Sequence, residues 1–117
     1  MAPLMREKKE LTFDFDVAAD TATVWCHGRL TLTSADALRD AVKPLVAGRR
    51  TVTLDLTDVS LMDSVGLGTV VSLYVSARKA NCQFLVVNIR PRIRELFSVT
   101  RVLSLFEPAG EANIRRP

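Results

Sequence analysis

Between Thr51 and Leu56 polar and apolar side chains alternate, with Val52, Leu54 and Leu56 set against Thr51, Thr53 and Asp55. A period of two predicts a strand there, and Thr57 to Met62 reads as the loop that follows it. After Gly66 the period lengthens: Leu67, Val70, Val71, Tyr74 and Ala77 fall on one stripe, while Thr69, Ser72, Ser76 and Lys79 fall on the opposite one. That pattern predicts an amphipathic helix. Leu11 to Val17 and Thr21 to Leu30 predict two strands joined by a turn around Ala18 to Asp20, an antiparallel pair. Ser34 caps a helix whose Leu38, Ala41, Val42 and Leu45 share a face, with Gly48 near its end. Pro44 should kink or shorten that helix by removing the bond to Asp40. Phe84 to Val87 is continuously apolar, as in a buried parallel strand. Pro91 opens a helix that turns Ile93, Leu96 and Phe97 inward, and Val102 to Phe106 predicts a last short strand.

Strands alternating with helices imply crossover connections and a mixed, mostly parallel sheet with an antiparallel N-terminal edge, an α/β sandwich. The 117 residues, 48% of them apolar, suffice for one core and one domain. The expected core spans about 11–108, with 1–10 and 109–117 as flexible ends. Two cysteines, Cys26 and Cys82, fall inside predicted strands without metal-ligand spacing, so both read as reduced core thiols of a cytoplasmic protein. The single histidine, His27, has no acidic or cysteine neighbour at ligand spacing and reads as structural or solvent-facing. No metal site and no cofactor are expected. Asp55 and Asp58, which flank the strand end, read as turn caps rather than as a cation site. Met1 to Glu10 has no apolar core of a leader peptide, and no apolar run reaches the roughly 20 residues of a membrane span.

The net charge of +3 changes this picture little. Its arginines and lysines sit at element ends spread along the chain, and five Phe, one Tyr and one Trp leave few rings for base stacking. A solvated basic surface accounts for them better than a nucleic-acid groove.

The chemistry concentrates at Asp63-Ser64-Val65-Gly66-Leu67-Gly68, where a strand end meets a helix start. Free amide groups of the first helical turn and the positive end of the helix dipole surround the Ser64 hydroxyl, which suits a phosphate. A plain helix cap is the simpler account of Ser64. Gly66 and Gly68 leave the turn bare, either for a partner backbone or for tight packing against the sheet. No lysine-bearing glycine loop follows any strand and no base is spaced to activate Ser64, so an enzyme or nucleotide-binding domain is disfavoured.

The order of elements resembles the STAS domain of bacterial anti-sigma factor antagonists. Leu54-Asp55-Leu56-Thr57-Asp58-Val59 leading into Met62 to Gly68, then Pro91, Arg94-Glu95-Leu96-Phe97 and Val102 to Phe106, carry the resemblance. It implies a switch. Ser64 is the acceptor for an anti-sigma factor that is also a serine kinase with a Bergerat-type ATP site, and a PP2C-like phosphatase reverses the modification. The unphosphorylated antagonist binds the kinase and frees the sigma factor. Asp63, Val65, Gly66, Leu67 and Gly68 belong to the implied partner surface, joined by Leu61, Met62, Arg29 and Thr31. Leu61 and Met62 read equally as loop anchors, and Arg29 as an exposed strand-end residue.

Three features depart from the family pattern. Val65 stands where a second hydroxyl is common. In Gly28-Arg29-Leu30-Thr31, Arg29 follows the glycine where an acidic residue is usual, and Thr31 stands where an aspartate is usual. The sequence after Phe106 is short for a terminal helix. The alternative function is an unphosphorylated STAS binding module, as in stressosome-like scaffolds or the soluble subunit of a lipid-transport ATPase. A homodimer is also open: Leu73 and Val75 either extend the apolar helix face outward or pack beneath loops.

Overall fold

The computed structural model describes residues 10–106, so the expected flexible ends, 1–10 and 109–117, lie outside the described residues except for Glu10. Glu10 belongs to the ordered part, because its carbonyl accepts the Arg29 amide at 2.9 Å. The elements are β1 (Leu11–Val17), β2 (Thr21–Leu30), α1 (Ala35–Val46), β3 (Thr51–Met62), α2 (Ser64–Lys79), β4 (Gln83–Val87), α3 (Pro91–Val99) and α4 (Leu103–Phe106). The sheet order is β1-β2-β3-β4, with β1 antiparallel to β2 and the remaining pairs parallel. This is the mixed sheet with an antiparallel N-terminal edge that the alternation predicts.

One face of the sheet carries the core. Val24 and Cys26 on β2, Val52, Leu54 and Leu56 on β3, and Phe84 and Val86 on β4 are buried with Leu38 and Val42 of α1 and Val70 and Leu73 of α2. Leu73 therefore packs inward, whereas Val75 is 44% exposed. The opposite face presents Thr23, Trp25 and His27, all half-buried. Cys26 and Cys82 are free and buried, and burial, helped by the nearby Asp55 charge, pushes the Cys26 thiol up to about 12. α1 continues only to Val46, two residues past Pro44, and Gly48 turns the chain with φ +80.

Four expectations are corrected. Thr57 to Met62 is strand, since β3 carries extra residues relative to β2 between the Trp25 and His27 pairings and between those of Gly28 and Arg29. These bulges break the strict alternation without ending the strand. Val102 to Phe106 is not a strand, because Leu103–Phe106 forms the short helix α4. Phe106 is buried among aromatic rings, with Tyr74, Phe97 and Phe84 centroids at 5.4, 5.7 and 6.4 Å in edge-on geometry. β4 is parallel but lies at the sheet edge, so burial alternates along it, with Phe84 and Val86 buried and Leu85 and Val87 half-buried. Thr69 is 3% exposed rather than on the solvent stripe, its hydroxyl donating to the Val65 carbonyl at 2.9 Å.

Asp55 is a charged side chain within the sheet, 6% exposed. Its Oδ1 accepts the Thr57 amide at 2.8 Å and the Thr57 hydroxyl at 2.6 Å, and Oδ2 accepts the Asn88 amide group at 2.9 Å. Those donors make its burial tolerable and tie the end of the β3–β4 pairing together.

Candidate functional site

β3 hands the chain to α2 through a single residue, Asp63, whose backbone is extended. Asp63 Oδ1 accepts the Gly66 amide at 2.9 Å and Oδ2 accepts the Leu32 amide at 3.0 Å. The carboxylate thus caps the helix and staples the loop after β2 to it. The Gly66 amide first, and then those of Leu32 and the first helical turn, hold the Asp63 carboxyl below its ordinary value of 3.8. Because Asp63 takes the capping role, Ser64 is the first helical residue, its side chain exposed and its hydroxyl without a hydrogen-bond partner among the described residues. An exposed hydroxyl at the positive end of a long helix can accept a phosphate without repacking the core.

Gly66 allows the helix to dock this closely. A Cβ there would lie 2.2 Å from the Leu30 carbonyl oxygen, while one at Gly68 would meet nothing within 4 Å. The two glycines therefore do different things: Gly66 is buried against β2, and Gly68 faces outward one turn beyond Ser64. Met62 and Leu67 are also buried, supporting the turn from beneath, whereas Leu61 and Val65 are 48% and 41% exposed.

The loop after β2 is held from the other end of the chain. Glu10 Oε2 accepts the Thr31 hydroxyl at 2.6 Å, Glu10 Oε1 accepts the Thr33 hydroxyl, and the Arg29 guanidinium lies 3.9 Å away. Those two hydroxyls, ahead of Arg29, draw the Glu10 carboxyl below its ordinary value of 4.5. Ser34, expected as a side-chain cap, instead accepts the Thr31 amide and donates to the Arg29 carbonyl, folding the loop onto itself. Sequence reasoning missed Glu10, and also Leu32, which is 68% exposed beside the Asp63 staple.

It also missed a cluster on the opposite face of the sheet. His27 Nδ1 lies 2.8 Å from Asp58 Oδ2 and Nε2 lies 2.8 Å from Asp14 Oδ2, so one ring bridges β1, β2 and β3. The two aspartates lie 31 and 13 residues away in the chain, and only the strand register brings them together. The acidic neighbours absent from the local sequence are supplied by tertiary pairing. Neither aspartate caps a turn, because the segment is strand: Asp55 binds Thr57 within β3, and Asp58 is spent on His27.

A sequence model of the STAS domain matches residues 13–115. The chain belongs to the STAS domain family. This STAS chain is 30% identical over 85 residues to the anti-sigma-B factor antagonist of Bacillus subtilis, across 73% of this chain and 78% of that protein. Among solved structures it is similar to an anti-sigma factor antagonist from Mycobacterium paratuberculosis, with TM-score 0.73 and 26% identity over 82% of each chain. It also shares its fold with SpoIIAA, at 19% identity in both forms. Unphosphorylated SpoIIAA gives a TM-score of 0.69 over 79% of this chain and 83% of that one. The phosphorylated form of this Bacillus cell fate determinant gives 0.65 over 81% and 87%.

Proposed function

We propose that this STAS chain is a cytoplasmic anti-sigma factor antagonist, not an enzyme, and that phosphorylation at Ser64 switches off its binding to an anti-sigma factor serine kinase. The observation that carries the reading is the exposed, uncommitted Ser64 hydroxyl at the start of α2, left available because Asp63 does the capping. The named antagonists among its relatives, and the solution of one of them in both phosphorylation states, support the same reading.

In the modification step Ser64 Oγ attacks the γ-phosphorus of ATP. The bond to the β,γ-bridging oxygen breaks, ADP leaves, and the hydroxyl proton passes to a base of the kinase. A PP2C-like phosphatase restores the hydroxyl with water. The new phosphate brings about −1.5 to −2 charges beside Asp63. In an interface that fits a neutral hydroxyl this costs about 3 kcal/mol, more than a hundredfold in affinity, with no change of fold. The exposed Leu61, Val65 and Leu32, the bare Gly68 and the loop at Arg29 and Thr31 form the contact surface around Ser64. Glu10 offsets the threonine at position 31: its carboxylate on the Thr31 hydroxyl returns a negative charge to a loop where the family usually carries an aspartate.

The test is incubation of the full chain with ATP and Bergerat-type kinases of the same genome, followed by intact mass and site mapping, with Ser64→Ala as control. One phosphate at Ser64, and loss of kinase binding in Ser64→Asp, is the expected result. A stable complex that ignores Ser64→Asp and gains no phosphate would replace the switch with an unphosphorylated binding module.

A further inference from the structure

The strand that delivers Ser64 is unevenly supported. β4 pairs with β3 only from Thr51 to Asp55, and beyond that point β3 runs on to Met62 beside β2. This outer half contains both shifts in the β2–β3 register, one on each side of the His27–Asp58 and Gly28–Val59 pairings. Bulged stretches bend and twist more readily than a regular ladder. Among the described residues the side-chain ties on this segment are the His27–Asp58 pair, the Arg90 guanidinium donating to the Thr57 carbonyl at 2.8 Å, the Ser60 hydroxyl to the Gly28 carbonyl at 3.4 Å, and the Thr57 hydroxyl back to Asp55 Oδ1 at 2.6 Å. With the ring protonated, the first of these is charge-assisted at both ends, and it reaches Asp14 on β1 through the same ring.

Both ring nitrogens face a carboxylate oxygen, and only the imidazolium donates from both. Facing it are Asp14 on β1, opposite Trp25, and Asp58 on β3, with Thr12 opposite the ring and Asp16 and Asp55 farther along the same face. Among the described residues, Arg29 turns toward Glu10 and Arg90 to the Thr57 carbonyl. The hydrogen bonds that Asp14 and then Asp58 accept from the ring raise it above its ordinary 6.5. The clamp is therefore complete below about pH 6.5 and is lost as pH rises through the elevated value. A neutral ring keeps one donor and turns a lone pair toward the other carboxylate.

We propose that His27 is a positioning residue for Ser64: through Asp58 its charged ring pins the outer half of β3, and phosphorylation of Ser64 slows when the ring loses its proton. This rests on Ser64 being the phosphoacceptor.

Two measurements on the full chain separate the parts. The first is an NMR pH titration of the His27 ring together with the backbone amides of Val59 to Ser64. In the native chain those amides shift with the ring's own midpoint; in His27→Gln and Asp58→Asn the response disappears while the thermal melt confirms folding. Amides that ignore the ring's titration overturn the positioning role, whatever the kinase does. The second is the Ser64 phosphorylation rate between about pH 6 and about pH 9, taken as the ratio of native chain to His27→Gln so that the kinase's own pH dependence cancels. The expected ratio is about threefold at the acidic end, falling to one at the basic end. A ratio constant across the range refutes the coupling. Absence of phosphate on the native chain at every pH refutes the acceptor reading and the kinetic half of the proposal, while the titration still decides whether His27 pins the strand.

Discussion

Substituting alanine at Gly66 and at Gly68 gives opposite outcomes two residues apart in one helix. At Gly66 the new Cβ lies 2.2 Å from the Leu30 carbonyl oxygen and 3.0 Å from Leu30 Cγ. Ordinary contact begins near 3.4 Å, so the start of α2 must retreat by about 1.2 Å from a backbone atom that cannot swing aside. Overpacking of this kind costs about 3 kcal/mol, and the better helix propensity of alanine returns about 1 kcal/mol, leaving about 2 kcal/mol of destabilisation. An unfolding entropy of about 0.25 kcal/mol per kelvin for a chain of this size converts that to a melting temperature about 8 °C lower. At Gly68, where a Cβ meets nothing within 4 Å, only the propensity gain operates and melting rises by about 4 °C. Thermal melts followed by circular dichroism at neutral pH measure both shifts. A Gly66→Ala chain that melts at or above the native temperature would refute the claim that backbone approach at Leu30 fixes the helix start. Retreat of the turn also lengthens the 2.9 Å bond from the Gly66 amide to Asp63, so the same variant should be a poorer kinase substrate.

Other expectations follow from single contacts. Glu10→Gln removes the charge and leaves one acceptor oxygen, so one of the two threonine hydroxyls must turn to accept from the new amide; it should weaken kinase binding several-fold with little change in melting, and calorimetric titration checks it. Phe106→Ala opens a hole between Tyr74, Phe84 and Phe97 and should cost about 3 kcal/mol or more by urea unfolding. The Cys26 thiol, buried and held near 12, should resist alkylation in the native chain and react once it is unfolded; timed mass spectrometry distinguishes the two.

What the sequence made legible was whatever depends on neighbours close along the chain. β1 and β2 are visible in Leu11 to Val17 and Thr21 to Leu30 because a strand with one dry face writes its period directly into the residues. The Ser64 junction is visible because strand end, cap and first turn are contiguous. Thr57 to Met62 was not, since each bulge moves the side-chain pattern out of step and mimics a loop. Val102 to Phe106 has the composition of a strand, yet it is a helix that seats Phe106 in a ring cluster with Tyr74, Phe84 and Phe97, residues farther back in the chain. The His27 bridge and the Glu10 staple join residues whose distance in the chain carries no information about their contact. Thr31 shows the same limit: a departure from the family pattern in one loop is offset by a residue from another strand's entrance.

The chain's single tryptophan, Trp25, stands half-buried on the sheet face away from the buried core, opposite Asp14 on one side and Asp55 on the other. Its emission is therefore an optical report on that face alone. A protein seated over Ser64 and Gly68 leaves the indole in the same solvent and the spectrum nearly unchanged, whereas anything that covers the sheet dries the ring and shifts its emission to the blue. A fluorimeter can thus tell which side of the molecule a newly found binder occupies, before any label is attached.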